Sequence, residues 1–343
     1  MKETVFISSP LEEEYVARIR AMDPARIEVL YAPDLLPPTR YRNDHKGGPF
    51  TRTSAQRARW QDLARQATIS WDIPDAEDLA IMDGLRWIQG TSTGIGQQAQ
   101  RLGLDRRDIL MTTARGVHAR PLAEFVFMAL LAHWRGLAFL QAEQRAHRWQ
   151  RYCTDEVAGK TMVILGGGDL ARGTAKVAKA LEMHVVAVAR DAAKARDHAH
   201  LFDEVLPGTA LRAALARADA LVLTVPHTPQ TERIIDAEAL AALKPGAILV
   251  NIARGQVVDE PALVDALRRG HLGFAALDVA EVEPLPAGSP LWDMPNVLIS
   301  PHSASTAPSE NARITGIFLH NLRCWLDGDV GGMRNVLDKQ LMY

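Results

Sequence analysis

Short apolar runs rich in β-formers recur along the chain from residue 162 onward, at 184–189 (HVVAVA), 220–225 (ALVLTV), 247–252 (AILVNI), 274–279 (FAALDV) and 297–300 (VLIS). Helical patterns lie between most of them, including 210–217 and 260–269, where Pro261 suits a first helical turn. Strands alternating with helices predict a parallel, doubly wound α/β sheet. The N-terminal third repeats the rhythm more weakly at 4–8, 27–31, 68–71, 87–89 and 109–112, which predicts a second α/β domain. The stretch 122–134 (LAEFVFMALLAHW), after Pro121, is apolar on nearly every face, so a helix there needs cover all round, in a core, at a domain junction or at a subunit interface. Residues 37–59 collect Pro, Gly, Arg, Lys and Asn without periodicity and read as a mobile surface loop, either solvated or turned toward an anionic substrate or partner.

Composition narrows the classes of function. At 343 residues, 47% hydrophobic and 23% charged, the chain suits two globular domains. A formal net charge of −2 gives no bulk attraction to nucleic acid or to an anionic membrane, which favours a small-molecule partner. Cys153 and Cys324 are the only cysteines, too few for a disulfide framework and without zinc-ligand spacing, which fits a reducing, cytoplasmic setting and no metal. The N-terminal sequence lacks a signal-peptide core, and no apolar run approaches bilayer-spanning length, so neither export nor membrane insertion is expected.

The chemistry begins at 162–181 (MVILGGGDLARGTAKVAKAL), which runs from a strand through a glycine-rich turn into an amphipathic helix. In this G-x-G-x-x-A pattern Gly166 permits the tight turn, Gly168 allows close approach of backbone to phosphate, and Ala171 lets the helix pack on its strand. Backbone N–H groups at such a helix start face an anion, so the segment predicts a dinucleotide pyrophosphate site that includes Asp169 and Leu170. The Asp169 carboxylate would oppose that charge and is expected to point away.

Six segments together resemble the D-isomer-specific 2-hydroxyacid dehydrogenase family: the nucleotide turn, RGVHARPLAEFVF at 115–127, LTVPHTPQTERII at 223–235, NIARGQVVDEPAL at 251–263, ALDVAEVEPLP at 276–286 and ISPHSAST at 299–306. The resemblance covers almost the whole chain and is strongest from about residue 84. It implies a Rossmann-type cofactor domain, 119–306, inserted in a flavodoxin-like substrate domain built from 1–118 and 307–343, with a catalytic cleft between the two. It also implies that Arg254, Glu283 and His302 are catalytic, and that Pro226 and Ile252 join the cofactor contacts. The turn TSTGIG at 91–96 matches a loop whose backbone N–H groups hold a substrate carboxylate in relatives, so Ser92, Thr93 and Gly94 are candidate substrate contacts, small enough for a nest-like turn.

The residues themselves suit these roles. Arg254 comes after a strand, at the edge where open α/β folds place ligands, and its fork of donors matches a 2-oxo carboxylate. Reducing a ketone requires a proton on oxygen as hydride reaches carbon; histidine suits this near neutral pH, and a carboxylate beside it orients the ring and favours its protonated form. Asp278 matches a position that contacts the nicotinamide carboxamide, and loop capping is an equal alternative on physical grounds.

Cofactor choice turns on the end of the second strand of the nucleotide motif, where an acidic residue would bind the ribose hydroxyls. Ala189 stands there with Arg190 next to it, a partner for a 2′-phosphate, so NADP is expected, with Asp191 nearby leaving NAD open. The expectation is therefore an oxidoreductase acting on a small 2-oxo or D-2-hydroxy acid, homodimeric, and ending at Tyr343 without an appended amino-acid-sensing domain. The alternative is a corepressor-like, dinucleotide-sensing protein on the same fold.

Overall fold

The apolar runs become the strands of two fully parallel sheets. The computed structural model describes residues 2–340, with the side chains of all but Lys194 and Arg196. Two compact units arise, one from Met1–Val117 and Thr306–Tyr343 and one from His118–Ser305.

In the first unit β1 (Glu3–Ile7), β2 (Ile27–Leu30), β3 (Ile69–Trp71), β4 (Trp87–Gln89) and β5 (Leu110–Thr112) lie in the order β2-β1-β3-β4-β5, the flavodoxin-like arrangement. Its carboxyl edge carries the Ser92–Gly94 turn, just after β4. One face of the sheet is covered by the helix Glu310–Leu326, whose Ile314, Phe318 and Leu322 recur every four residues and are fully buried. Phe318 stacks on Trp87 at 5.1 Å between centroids and meets Trp71 edge-on at 5.4 Å.

In the second unit β6 (Thr161–Leu165), β7 (His184–Ala189), β8 (Glu204–Pro207), β9 (Ala220–Leu223), β10 (Ala247–Asn251), β11 (Leu272–Leu277) and β12 (Val297–Ile299) take the order β12-β11-β10-β9-β6-β7-β8. Alternate residues feed opposite cores. Leu165, Val188, Leu223 and Leu249 pack on one face, and Ile164, Ala187, Val222 and Val250 on the other. Burial on both faces is why parallel strands read as continuous apolar runs rather than alternating ones.

Register decides which residues leave the sheet together. Leu165 pairs with Leu223, Asn251 with Leu277, and Leu277 with Ile299, so these strands end on one line. Gly166, Thr224, Ile252, Asp278 and Ser300 therefore all emerge at a single carboxyl edge, where ligands of open α/β folds bind.

One expectation differs from what is found. Residues 37–59 are not one mobile loop: Ser54–Ala64 is a helix, opened by a capping box in which the Gln56 N–H donates to Thr53 Oγ1 at 3.3 Å and the Thr53 N–H donates to Gln56 Oε1 at 2.9 Å. The remainder is anchored, with Asn43 donating to the Ala307 carbonyl at 2.6 Å and the buried Asp44 carboxylate paired with Arg40 at 2.8 Å. The apolar helix runs over Ala119–Trp134, with half of its residues buried and Met128 and Leu131 exposed on this single chain. The edge strand β8 and the helix Glu310–Leu326 join the expected elements.

Candidate active site

Close contacts shape the glycine turn at its first two glycines. Gly166 sits at φ +122°, and a Cβ there would lie 2.3 Å from Thr224 Oγ1, which is itself held by donating to the Leu165 carbonyl at 2.8 Å. At Gly167 a Cβ would meet Ala195 at 3.0 Å and Ala189 at 3.3 Å. Gly168 opens the helix Asp169–Ala180 as its N-cap, with no side-chain cap and open space where a Cβ would stand. The first-turn N–H groups are thus presented beside bare backbone, the cradle a dinucleotide pyrophosphate needs, so the residues fit the cofactor. The Asp169 carboxylate is engaged by Arg172 one turn along the helix, at 2.5 Å. Ala171 is fully buried beneath the turn, and Leu170 packs against the same core.

Arg254 is placed by the turn after β10. Asn251, almost fully buried, accepts from the N–H of Ala253 and donates to the carbonyl of Arg254, both at 3.0 Å. The Arg254 guanidinium donates to the Ala253 carbonyl at 2.7 Å. Burial pushes its pKa down, and the charges of Glu283 and Asp278 pull it partly back up. Directly after it, Gly255 lies so close to the next loop that a Cβ would fall 1.9 Å from the Ala280 carbonyl carbon and oxygen. The Arg254 turn and the Glu283 loop are therefore in direct backbone contact.

Glu283 and His302 come together: Nδ1 of His302 lies 2.8 Å from Oε2 of Glu283, with the side chains 44% and 39% exposed. The site is open to solvent yet internally paired. Burial raises the pKa of Glu283, but the hydrogen bond and charge of His302, the N–H of Ala280 and the charge of Arg254 together hold it below the usual carboxylate range. His302 occupies left-handed backbone, φ 53°, uncommon for histidine, and its N–H donates to the carbonyl of Asp278 at 2.8 Å.

Asp278 explains how that loop is held. Its Oδ1 accepts from Ser300 Oγ at 2.6 Å and from the N–H groups of Ser303 and Ala304 at 2.9 Å. This almost fully buried carboxylate clamps the segment on either side of His302. Sequence reasoning missed Asn251, Thr224, Gly255 and Ser300, whose importance lies in contacts between segments rather than in any local pattern.

The remaining candidates lie further along the same edge or in the other unit. Arg190 is exposed just beyond the end of β7. Pro226 is exposed after β9, its carbonyl accepting from Thr231 Oγ1 at 2.6 Å. The side chain of Ile252 is buried in the core beneath the edge. In the other unit Ser92 and Gly94 are exposed, and Thr93 Oγ1 donates to the Ala114 carbonyl at 3.3 Å. Among the described residues no group of three or more His, Cys, Asp or Glu side chains is arranged to hold a metal ion, and no single helix is long and apolar enough to cross a membrane.

Residues 127–304 match the model of the D-isomer specific 2-hydroxyacid dehydrogenase NAD-binding domain, more than half of the chain. The chain belongs to this family. A D-3-phosphoglycerate dehydrogenase of Mycobacterium leprae is 40% identical over 227 residues, 63% of this chain and 42% of that enzyme. The chain thus spans less than half the length of the mycobacterial enzymes it matches. The structure of a D-isomer specific 2-hydroxyacid dehydrogenase family protein from Aeromonas salmonicida has TM-score 0.82 at 31% identity, covering 99% of this chain and all of that one. A 2-hydroxyacid dehydrogenase from Xanthobacter autotrophicus, solved with NADPH and MES, has TM-score 0.76 at 28% identity with the same coverage. Two parallel α/β domains are thus an architecture this chain shares with its solved relatives.

Proposed function

We propose that the chain is an NAD(P)-dependent oxidoreductase that reduces a small 2-oxo acid to its D-2-hydroxy acid, or runs the reverse. The observation that carries this reading is the 2.8 Å contact of His302 with Glu283, set on the same sheet edge as Arg254 and the glycine turn. When bound, a nicotinamide cofactor would supply or accept the hydride. Arg254 holds the substrate carboxylate and polarises the ketone with its fork of donors. With Nδ1 engaged by Glu283, the proton is delivered to the ketone oxygen from Nε2 of His302 and returns there in oxidation. Glu283 stays ionised and balances the imidazolium.

NADPH is the proposed preference. Ala189 leaves no carboxylate to repel a 2′-phosphate and the exposed Arg190 offers a cation, in line with the NADPH complex of the Xanthobacter relative. Asp278 is proposed to act both on the nicotinamide carboxamide and on the His302 loop. A second copy of the chain is the proposed cover for the exposed Met128, Leu131, Leu137, Phe139 and Leu140, and the setting is cytoplasmic, with small-molecule partners rather than nucleic acid or membrane.

The test is turnover of glyoxylate, hydroxypyruvate and a phosphorylated 2-oxo acid with NADPH and NADH, for the wild type and His302→Ala. Turnover with at least one acid is expected, and loss of His302 should lower it by about 10²- to 10⁴-fold while leaving NADPH affinity intact. Cofactor binding without any turnover would replace the enzyme reading by a dinucleotide-sensing one, and a fully active His302→Ala would remove histidine from proton transfer.

A further inference from the structure

The loop that carries Glu283 is braced from outside the catalytic set, and the brace centres on one residue. Arg233, after β9, holds left-handed backbone at φ 46°, and its N–H donates to the Gln256 carbonyl at 2.8 Å. Two residues on, Ile235 pairs with Val258 in a short parallel bridge, which fixes this segment against the one that begins at Arg254. From the same position the Arg233 guanidinium reaches Oε1 of Glu281 at 2.7 Å. Glu281 is gripped twice more: Gln256 Nε2 donates to its carbonyl at 2.8 Å, and its own N–H donates to Glu260 Oε2 at 3.1 Å. Glu283 stands two residues further along, its Oε1 accepting from the Ala280 N–H at 3.2 Å.

We propose that Arg233 is a positioning residue: its ion pair with Glu281 fixes residues 280–283 so that the Glu283 carboxylate meets Nδ1 of His302. The charge pattern supports the assignment. The hydrogen bond and charge of Glu281, with the charges of Asp259 and Glu232, raise the pKa of Arg233, and of these carboxylates Glu281 is the one in contact with its guanidinium, at 2.7 Å. With Glu260 also against the loop, removing that cation leaves Glu281 facing like charges, which drives it outward and takes the loop with it. The pair is partly exposed, 52% for Arg233 and 28% for Glu281, and such pairs add little to global stability. Its effect belongs in the rate rather than in the melting temperature.

The left-handed backbone supplies a clean test, because glycine holds that conformation at lower cost than arginine. Arg233→Gly removes the guanidinium while easing the backbone. The inference rests on the acid–base reading of His302 and Glu283, so His302→Ala is measured alongside, on the whole chain with NADPH and the best 2-oxo acid. Arg233→Gly should lower kcat about five- to tenfold with KM for both substrates within about twofold of wild type and an unchanged or higher melting temperature. Arg233→Lys should stay within about twofold of wild type, and the loss in Arg233→Glu should be largely restored by adding Glu281→Arg. A wild-type kcat in Arg233→Gly, or a charge-swapped double variant no better than Arg233→Glu alone, overturns the proposal. If His302→Ala is inactive while Arg233→Gly is normal, the positioning role alone falls; if His302→Ala is fully active, the acid–base reading falls with it.

Discussion

Replacing Gly255 by alanine puts the coupling between Arg254 and Glu283 to a direct test. The added Cβ would lie 1.9 Å from the carbonyl carbon and oxygen of Ala280 and 2.4 Å from the nitrogen of Glu281. All three are backbone atoms, so no side-chain rotation relieves the overlap. Ordinary contact begins near 3.4 Å, so the two segments must separate by about 1.5 Å (3.4 − 1.9). Carried through to Glu283, that displacement stretches the 2.8 Å contact with His302 to as much as about 4.3 Å (2.8 + 1.5), beyond hydrogen-bonding reach. Overpacking of this kind costs about 1–3 kcal/mol of stability. A misplacement of about 1 Å costs about 10²-fold in rate. The assay is kcat for NADPH-dependent reduction beside the melting temperature, with Gly316→Ala as control. Gly316 lies exposed within the helix Glu310–Leu326, with nothing within 4 Å of its Cβ position, so that change should leave kcat untouched and stabilise the fold by up to about 1 kcal/mol. A Gly255→Ala protein with wild-type kcat and melting temperature would refute the reasoning, since the loops would then absorb the methyl group without moving either side chain.

Three further outcomes are expected. Asp278→Ala strands the three donors that now meet Oδ1 and should cost about 3 kcal/mol along with most of kcat, whereas Asp278→Asn keeps an acceptor and should retain most of the stability; equal losses in the two variants would show that the carboxylate's charge, not its clamp, is what matters. Ala189→Asp combined with Arg190→Ser should move the kcat/KM ratio toward NADH by at least about tenfold, and an unchanged ratio would place cofactor choice elsewhere. Glu204, held by Arg217 and His184, has its pKa lowered from 4.5 to about 2. A carboxylate depressed in this way stabilises the fold fully above its unfolded value and loses that contribution as pH falls toward its folded one. Glu204→Gln should therefore cost roughly 1 kcal/mol at pH 7, after allowance for solvent screening, and progressively less between about pH 4.5 and 2; a cost independent of pH would sink the assignment.

Which elements are legible in the sequence depends on which contacts are local. The strands of the second unit stand out because a parallel strand buried on both faces must be apolar at successive positions, and 184–189 matches β7 at both ends. The helix Ser54–Ala64 does not stand out, since it fully buries only Trp60 and Ala64 and Gln, Arg and Asp break its apolar period; its one sequence signal is the Thr53–Gln56 capping box. The helix Glu310–Leu326 carries a readable four-residue spacing of Ile314, Phe318 and Leu322, but buried Asn311, Thr315 and Asn321 interrupt its apolar face.

The sequence by itself determined the recurring strands and helices of two α/β sheets and the glycine turn, because each rests on local patterns, and the family resemblance of six segments named the candidate residues for chemistry. Tertiary structure alone decided that Glu283 lies 2.8 Å from His302, that Asp278 clamps the segment around that histidine, and that Gly255 must be bare for two loops to touch. The physical reason is range. Apolar period and backbone freedom act over a few residues and leave their mark in order and spacing, whereas hydrogen bonds and steric contacts between strand ends arise only once sheet register has brought distant residues to one edge.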